Sequence, residues 1–124
     1  MMATRTEVGA WGEAIATRYL SEHGYTIRDR NWRHGHGELD IVVEHGGAIV
    51  FVEVRVRNSD AFGTAQESLR ARKQAKLIAT AQAYLQLHDL ADAQWQIDVI
   101  AIELDRRNAL KHLDHIECAI SARV

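Results

Sequence analysis

Apolar and polar positions alternate most regularly between Gly37 and Arg57, where two runs rich in β-branched residues flank a Gly46-Gly47 pair. That pattern predicts a β-hairpin. With the glycines as the turn, His45 faces Ala48, and one apolar face pairs Val43 with Val50, Ile41 with Val52 and Leu39 with Val54. A one-residue slip would bring charges into that face, so the register is well specified. The other face pairs Val42 with Phe51, Asp40 with Glu53 and Glu38 with Arg55. Directly opposed Cβ atoms lie about 5 Å apart. Two carboxylates at about that distance repel by roughly 3 kcal/mol at an effective dielectric constant of about 20. The Asp40 and Glu53 pair therefore either looks at water, where screening and splay tolerate it, or is held by a proton or a hard divalent cation. Val42 and Phe51 on the same face favour partial cover, and with it the second reading.

Around the hairpin the period changes. Residues 4–23 predict a helix, opened by Thr4 with Glu7 three residues on and closed by His23 and Gly24. Val8, Trp11, Ile15 and Tyr19 form an apolar stripe, and Gly9, Gly12, Glu13, Ala16 and Leu20 form a neighbouring one of mostly small side chains. Small residues there let the helix approach a sheet closely, with Glu13 either reaching solvent or helping to build a site. Residues 25–33 predict a first strand whose alternation fails near Trp32. His34, His36, Glu38 and Asp40 then alternate: on an extended chain they would form a zinc-ligand row, whereas Gly35 and Gly37 favour a turn.

After a loop at residues 58–63, Thr64 and Glu67 form a second capping box for a helix running to about His88. Its buried side is Leu69, Leu77, Ile78, Ala81, Tyr84 and Leu85; its first turns group Gln66, Arg70, Lys73 and Gln74, with Arg72 and Lys76 alongside. Such a charged face is either simply solvated or, following the carboxylate strand so closely, set beside Glu53. Residues 95–104 read as a mostly buried strand and 115–120 as a last one at an edge. Asp98 shares a face with Ile100 and Ile102, so it needs a partner, expected to be an arginine or backbone donors.

Composition narrows the class. The 124 residues, 47% apolar and 26% charged, suit one soluble globular domain. A single cysteine, Cys118, excludes an internal disulfide framework and reads as a small core residue. His112, His115 and Cys118 lack metal-ligand spacing. No secretory pattern or membrane-length apolar run appears, so a cytoplasmic protein with no membrane partner is expected. The formal net charge of -2 argues against a DNA-coating protein but leaves room for a local basic patch. Arg28, Arg30, Arg33, Arg55, Arg57, Arg70, Arg72, Lys73 and Lys76 all precede residue 77, while acids dominate after it.

The order helix, three strands, helix, two strands, with Asp40 on the second strand and Glu53-Val54-Arg55 on the third, resembles the PD-(D/E)XK nuclease superfamily. More closely, the chain is similar to the uncharacterised bacterial YraN-type family, which is related to archaeal Holliday-junction resolvases. The matching pieces are Gly12-Glu13 with Ala16 and Tyr19-Leu20, Gly24-Tyr25, Asn31-Trp32-Arg33, Gly37-Glu38-Leu39-Asp40, Phe51 through Arg57, Phe62-Gly63 and Ile97-Asp98-Val99. They span nearly the whole chain in order. The resemblance implies an α/β, restriction-endonuclease-like core of order αβββαββ, a mixed central sheet flanked by helices, as one domain over residues 1–124.

It also implies a metal-dependent phosphodiesterase site in which Asp40, Glu53 and the carbonyl of Val54 hold Mg²⁺ or Mn²⁺ and Glu13 is an additional acid. Arg33, Arg57, Arg70 and Lys73 would contact nucleic acid, expected to be branched or single-stranded DNA, and a homodimer is an implied state. The chain departs from the superfamily where a lysine is usual: Arg55 stands there, and it can clamp phosphate but cannot serve as a base. Lys73 is the substitute to test. Gln96 is a second departure, at a place where relatives often carry arginine. Three functions compete: an endonuclease, a nucleic-acid-binding module that kept the fold without catalysis, and an interaction protein using neither metal nor nucleic acid.

Overall fold

Gly46 and Gly47 both adopt positive φ, 57° and 80°, the backbone that a two-residue hairpin turn demands. The computed structural model describes residues 5–58 and 70–120. From that turn β2 (Gly37–His45) and β3 (Ala48–Asn58) pair in the expected register, His45 with Ala48 through Ile41 with Val52. A second tight turn at Gly35-His36 joins β1 (Thr26–His34) to β2, with His34 opposite Gly37. On the other side β3 runs parallel to β4 (Trp95–Leu104), which requires a crossover, and α2 (Ala71–Leu87) lies in that connection. β5 (Leu110–Ile120) adds antiparallel to β4 and completes a mixed five-stranded sheet in the order β1-β2-β3-β4-β5.

Each face of the sheet has its own core. Helix α1 (Arg5–Glu22) sets Ala16 and Leu20 on Ile41, Val43, Val50, Val52, Ile100 and Ile102. Helix α2 sets Leu77, Ala81, Tyr84 and Leu85 on Val42, Phe51, Ile97 and Val99. The small-residue stripe of α1 is the one that meets the sheet: a Cβ on Gly12 would collide with Cγ2 of Val56. Trp11, expected in the apolar stripe, is instead 43% exposed, because the face centred on Gly12, Ala16 and Leu20 points inward.

The structure corrects several expectations. Leu39 packs with Trp32, Leu77 and Tyr84 on the α2 face, not with Ile41 on the α1 face. The cause is an alternation break: Arg30 pairs with Ile41 and Trp32 with Leu39, while Asn31 between them has φ 52°. Asparagine tolerates this left-handed backbone better than most residues. Helix α2 begins at Ala71, since Arg70 is extended (φ -79°, ψ 159°) and an extended residue cannot continue a helical turn. The capping residues Thr4, Thr64 and Glu67, and the loop through residues 59–63, lie outside the described residues.

Strand β5 is longer than expected, because its Lys111, His112 and Asp114 face water and hide the apolar signal of an edge strand. Cys118 is exposed, not a core residue, and has φ 50°. It sits in a bulge where Ile116 and Ile120 oppose Val99 and Ile97. That bulge turns the Cys118 N–H onto Oδ1 of Asp98 at 3.0 Å. Asp98 is fully buried, and the Gln96 amide (2.8 Å) and His115 Nε2 (2.7 Å) take the role expected of an arginine. His115 Nδ1 in turn meets the Tyr19 hydroxyl of α1 at 3.0 Å.

Candidate functional site

The β2–β3 ladder ends at Ile41 and Val52, one row before the two acids. Past that point the Val54 N–H donates to Oδ2 of Asp40 at 2.9 Å, so a side chain replaces the next ladder bond. Glu53 projects beside Phe51 toward α2 and is buried, 6% exposed. Its carboxyl is pushed up to about 9, first by burial, then by its hydrogen bond to Asp40 and the Asp40 charge; Lys73 and Arg55 oppose the shift. The two acids do meet, as the hairpin register requires, but through a carboxyl–carboxylate hydrogen bond instead of a regular ladder pair.

Glu13 approaches from the other face of the sheet. Burial holds its carboxyl above the ordinary range, followed by the charges of Asp40 and Glu38, with Arg30 and a hydrogen bond from Asn31 acting the other way. Its Oε1 is buried without a hydrogen-bond partner. Among the described residues, however, no three His, Cys, Asp or Glu side chains form a group able to hold a metal ion. Asp40 and Glu53 form the pair, and Glu13 stands beside Asp40 as an outlying acid.

The cationic wall comes from α2. Gly37 is where helix and sheet touch, since a Cβ there would collide with the Thr80 hydroxyl oxygen. That contact sets the start of α2 over the acids. Between them is a cavity of about 470 Å³, with Glu38, Asp40 and Glu53 on the sheet side, Arg70, Arg72, Lys73 and Lys76 along the helix, and His36, Leu77 and Thr80 completing the lining. The first turn of α2 carries no acid, so cations add to the positive end of the helix dipole. The arrangement sacrifices some helix stability and gives a surface suited to anions.

Other expected residues fall in different places. Arg55 acts on Glu53, and Glu38, its expected partner, bonds to Arg33 at 3.3 Å, directly across the β1–β2 ladder. Arg33 is therefore outside the cavity lining, at an exposed ion pair. Arg57 lies two residues beyond Arg55 on β3, with Nε and Nη1 buried and unpartnered. The zinc row does not form, because Gly35 and His36 make the turn between β1 and β2. Asn31, visible in the sequence only as part of the Asn31-Trp32-Arg33 match, bonds Glu13 and adopts a left-handed backbone at the point where the alternation fails.

The element order αβββαββ and the mixed sheet with one helix on each face are those that the sequence resemblance implies, with Asp40 and Glu53-Val54-Arg55 on adjacent strands. The chain belongs to the uncharacterised protein family UPF0102, whose family model matches residues 12–102. It is 44% identical to a UPF0102 protein of Roseiflexus castenholzii, covering 97% of this chain and 98% of that one. It is 43% identical to a UPF0102 protein of Moorella thermoacetica, with 96% and 99% covered. Among solved structures it is similar to Pyrococcus furiosus SfsA in complex with Ca²⁺ at 17% identity and a TM-score of 0.38, over 98% of this chain and 66% of that one. Among the described residues no helix is long and apolar enough to cross a membrane.

Proposed function

We propose that this chain is a divalent-cation-dependent endonuclease that hydrolyses phosphodiester bonds in DNA. The observation that carries the reading is a buried Glu53 carboxyl hydrogen-bonded to Asp40, directly under a cleft walled by cations. Asp40, Glu53 and the carbonyl of Val54 would hold Mg²⁺ or Mn²⁺. The donor set fits: the ligands are hard oxygens, and in an extended strand the Val54 carbonyl points to the same side as its N–H, toward Asp40. A cation bound there supplies positive charge to the scissile phosphate and makes a water more acidic.

The chain's own residues do the rest. Arg70, Lys73 and Lys76 would bind and orient the phosphates from the start of α2, and Arg55, beside Glu53 on β3, would add positive charge from the sheet side. Lys73, whose charge acts on Glu53 ahead of that of Arg55, would stand in near the reacting water for the lysine that Arg55 replaces. Glu13 would add a further acid beside Asp40 on the α1 side.

Arg55 in place of lysine is the observation that favours a second reading, a nucleic-acid-binding module without catalysis. The test is incubation of single-stranded and branched DNA with the protein and Mn²⁺ or Mg²⁺, beside Asp40→Asn and Glu53→Gln. Cleavage that needs the cation and disappears in both variants supports the endonuclease. Salt-sensitive binding with no cleavage under either ion selects the binding module.

A further inference from the structure

Next to the cleft lies an aromatic stack that phosphodiester chemistry does not use. The exposed His34 ring lies nearly parallel to the Trp32 indole, 8° between planes and 5.7 Å between centroids. Trp32 is fixed from behind by edge contacts to Tyr84 (5.1 Å, 83°) and His88 (5.9 Å, 65°). Tyr84 is itself pinned, donating to Asp29 at 2.6 Å and accepting from Arg28 at 3.1 Å. Trp32 is thus held in place, with the exposed His34 ring as the outer layer of the stack.

Its position follows from the turn at Gly35. That left-handed glycine reverses the chain so that His36, two residues after His34, lines the cleft. Along α2 the order is then cationic start, Thr80, and Tyr84 with His88. Phosphates at Lys73 and Lys76 and a base at His34 would follow one side of the same helix.

We infer that His34, backed by Trp32, is a stacking platform for an unpaired nucleobase of the strand whose phosphates occupy the cleft; this rests on the nucleic-acid reading above. A positively charged groove beside an aromatic face is the combination that binds single strands without sequence preference. Within a duplex both faces of a base are already covered by neighbours, so the platform selects single-stranded or splayed DNA over continuous duplex.

The test is fluorescence anisotropy of a labelled short oligothymidylate and of a hairpin-closed duplex, with wild type, His34→Ala, His34→Phe and Lys73→Ala. His34 is exposed, so its replacement leaves folding intact. His34→Ala should weaken single-strand binding by about 5- to 150-fold, the range for one lost base stack, and leave duplex binding unchanged. His34→Phe should restore the single-strand affinity. Wild-type affinity of His34→Ala for the single strand, or equal loss on both substrates, overturns the platform. If Lys73→Ala weakens both substrates while His34→Ala weakens neither, the platform falls and the cleft reading stands. A wild type that binds neither substrate overturns both.

Discussion

Replacing Glu53 by glutamine should stabilise this chain at neutral and alkaline pH. The Glu53 carboxyl is raised from its ordinary value of 4.5 to about 9, so between those values the folded chain holds a proton that the unfolded chain has released. Stability therefore falls as pH rises through this window, by about 1.4 kcal/mol per pH unit for one group. From pH 6 to pH 8 the loss is about 3 kcal/mol, an upper figure because opening of the site would relieve part of it. For a domain of this size that is a fall of roughly 10 °C in melting temperature. Glutamine keeps the shape and can still donate to Asp40, but it has no proton to lose. Urea denaturation of both proteins at pH 6, 7 and 8 in the presence of chelator reads the difference. Glu53→Gln should match wild type near pH 5 and exceed it increasingly toward pH 8. Parallel stability profiles over that range would refute the claim that a buried, proton-bridged carboxyl lies here.

Three further outcomes follow from the same geometry. Gly37→Ala should cost about 1–3 kcal/mol, because its Cβ collides with Thr80 and must push α2 away, and Thr80→Ala in the same chain should recover part of the loss in urea melts. His115→Ala should destabilise by roughly 1–3 kcal/mol, since the fully buried Asp98 loses its 2.7 Å partner while Gln96 and the Cys118 N–H remain. Arg33→Ala should change stability by less than about 1 kcal/mol, its pair with Glu38 being exposed, and should leave DNA affinity close to wild type, since Arg33 does not line the cleft.

The hairpin was legible because two local signals, paired glycines and period-2 alternation, agree on one register. The same reasoning placed the acids together but missed how they meet. Alternation alone would continue through Asp40, whereas Asn31 and the bond from the Val54 N–H to the Asp40 side chain break the ladder there. The face of α1 was misjudged at Trp11 because hydrophobicity marks what could be buried, while Gly12 marks where the sheet comes closest. The partners of Asp98 were hidden for a different reason. A β-bulge at Cys118 and a histidine from an edge strand are joined to it only by tertiary packing, and an edge strand half in water carries little periodic signal. The cationic start of α2 was visible as composition, but its position over Glu53 depends on the Gly37 contact with Thr80, which only the folded chain reveals.

The most direct test of the account is calorimetric titration of Mn²⁺ and Mg²⁺ into the wild type, Asp40→Ala and Glu53→Ala near pH 7.5, in two buffers of different ionisation heat. The wild type should bind with release of the Glu53 proton, seen as buffer-dependent heat, and neither variant should bind. Binding that persists in both variants, or a wild type that takes up neither ion with DNA present, would contradict it.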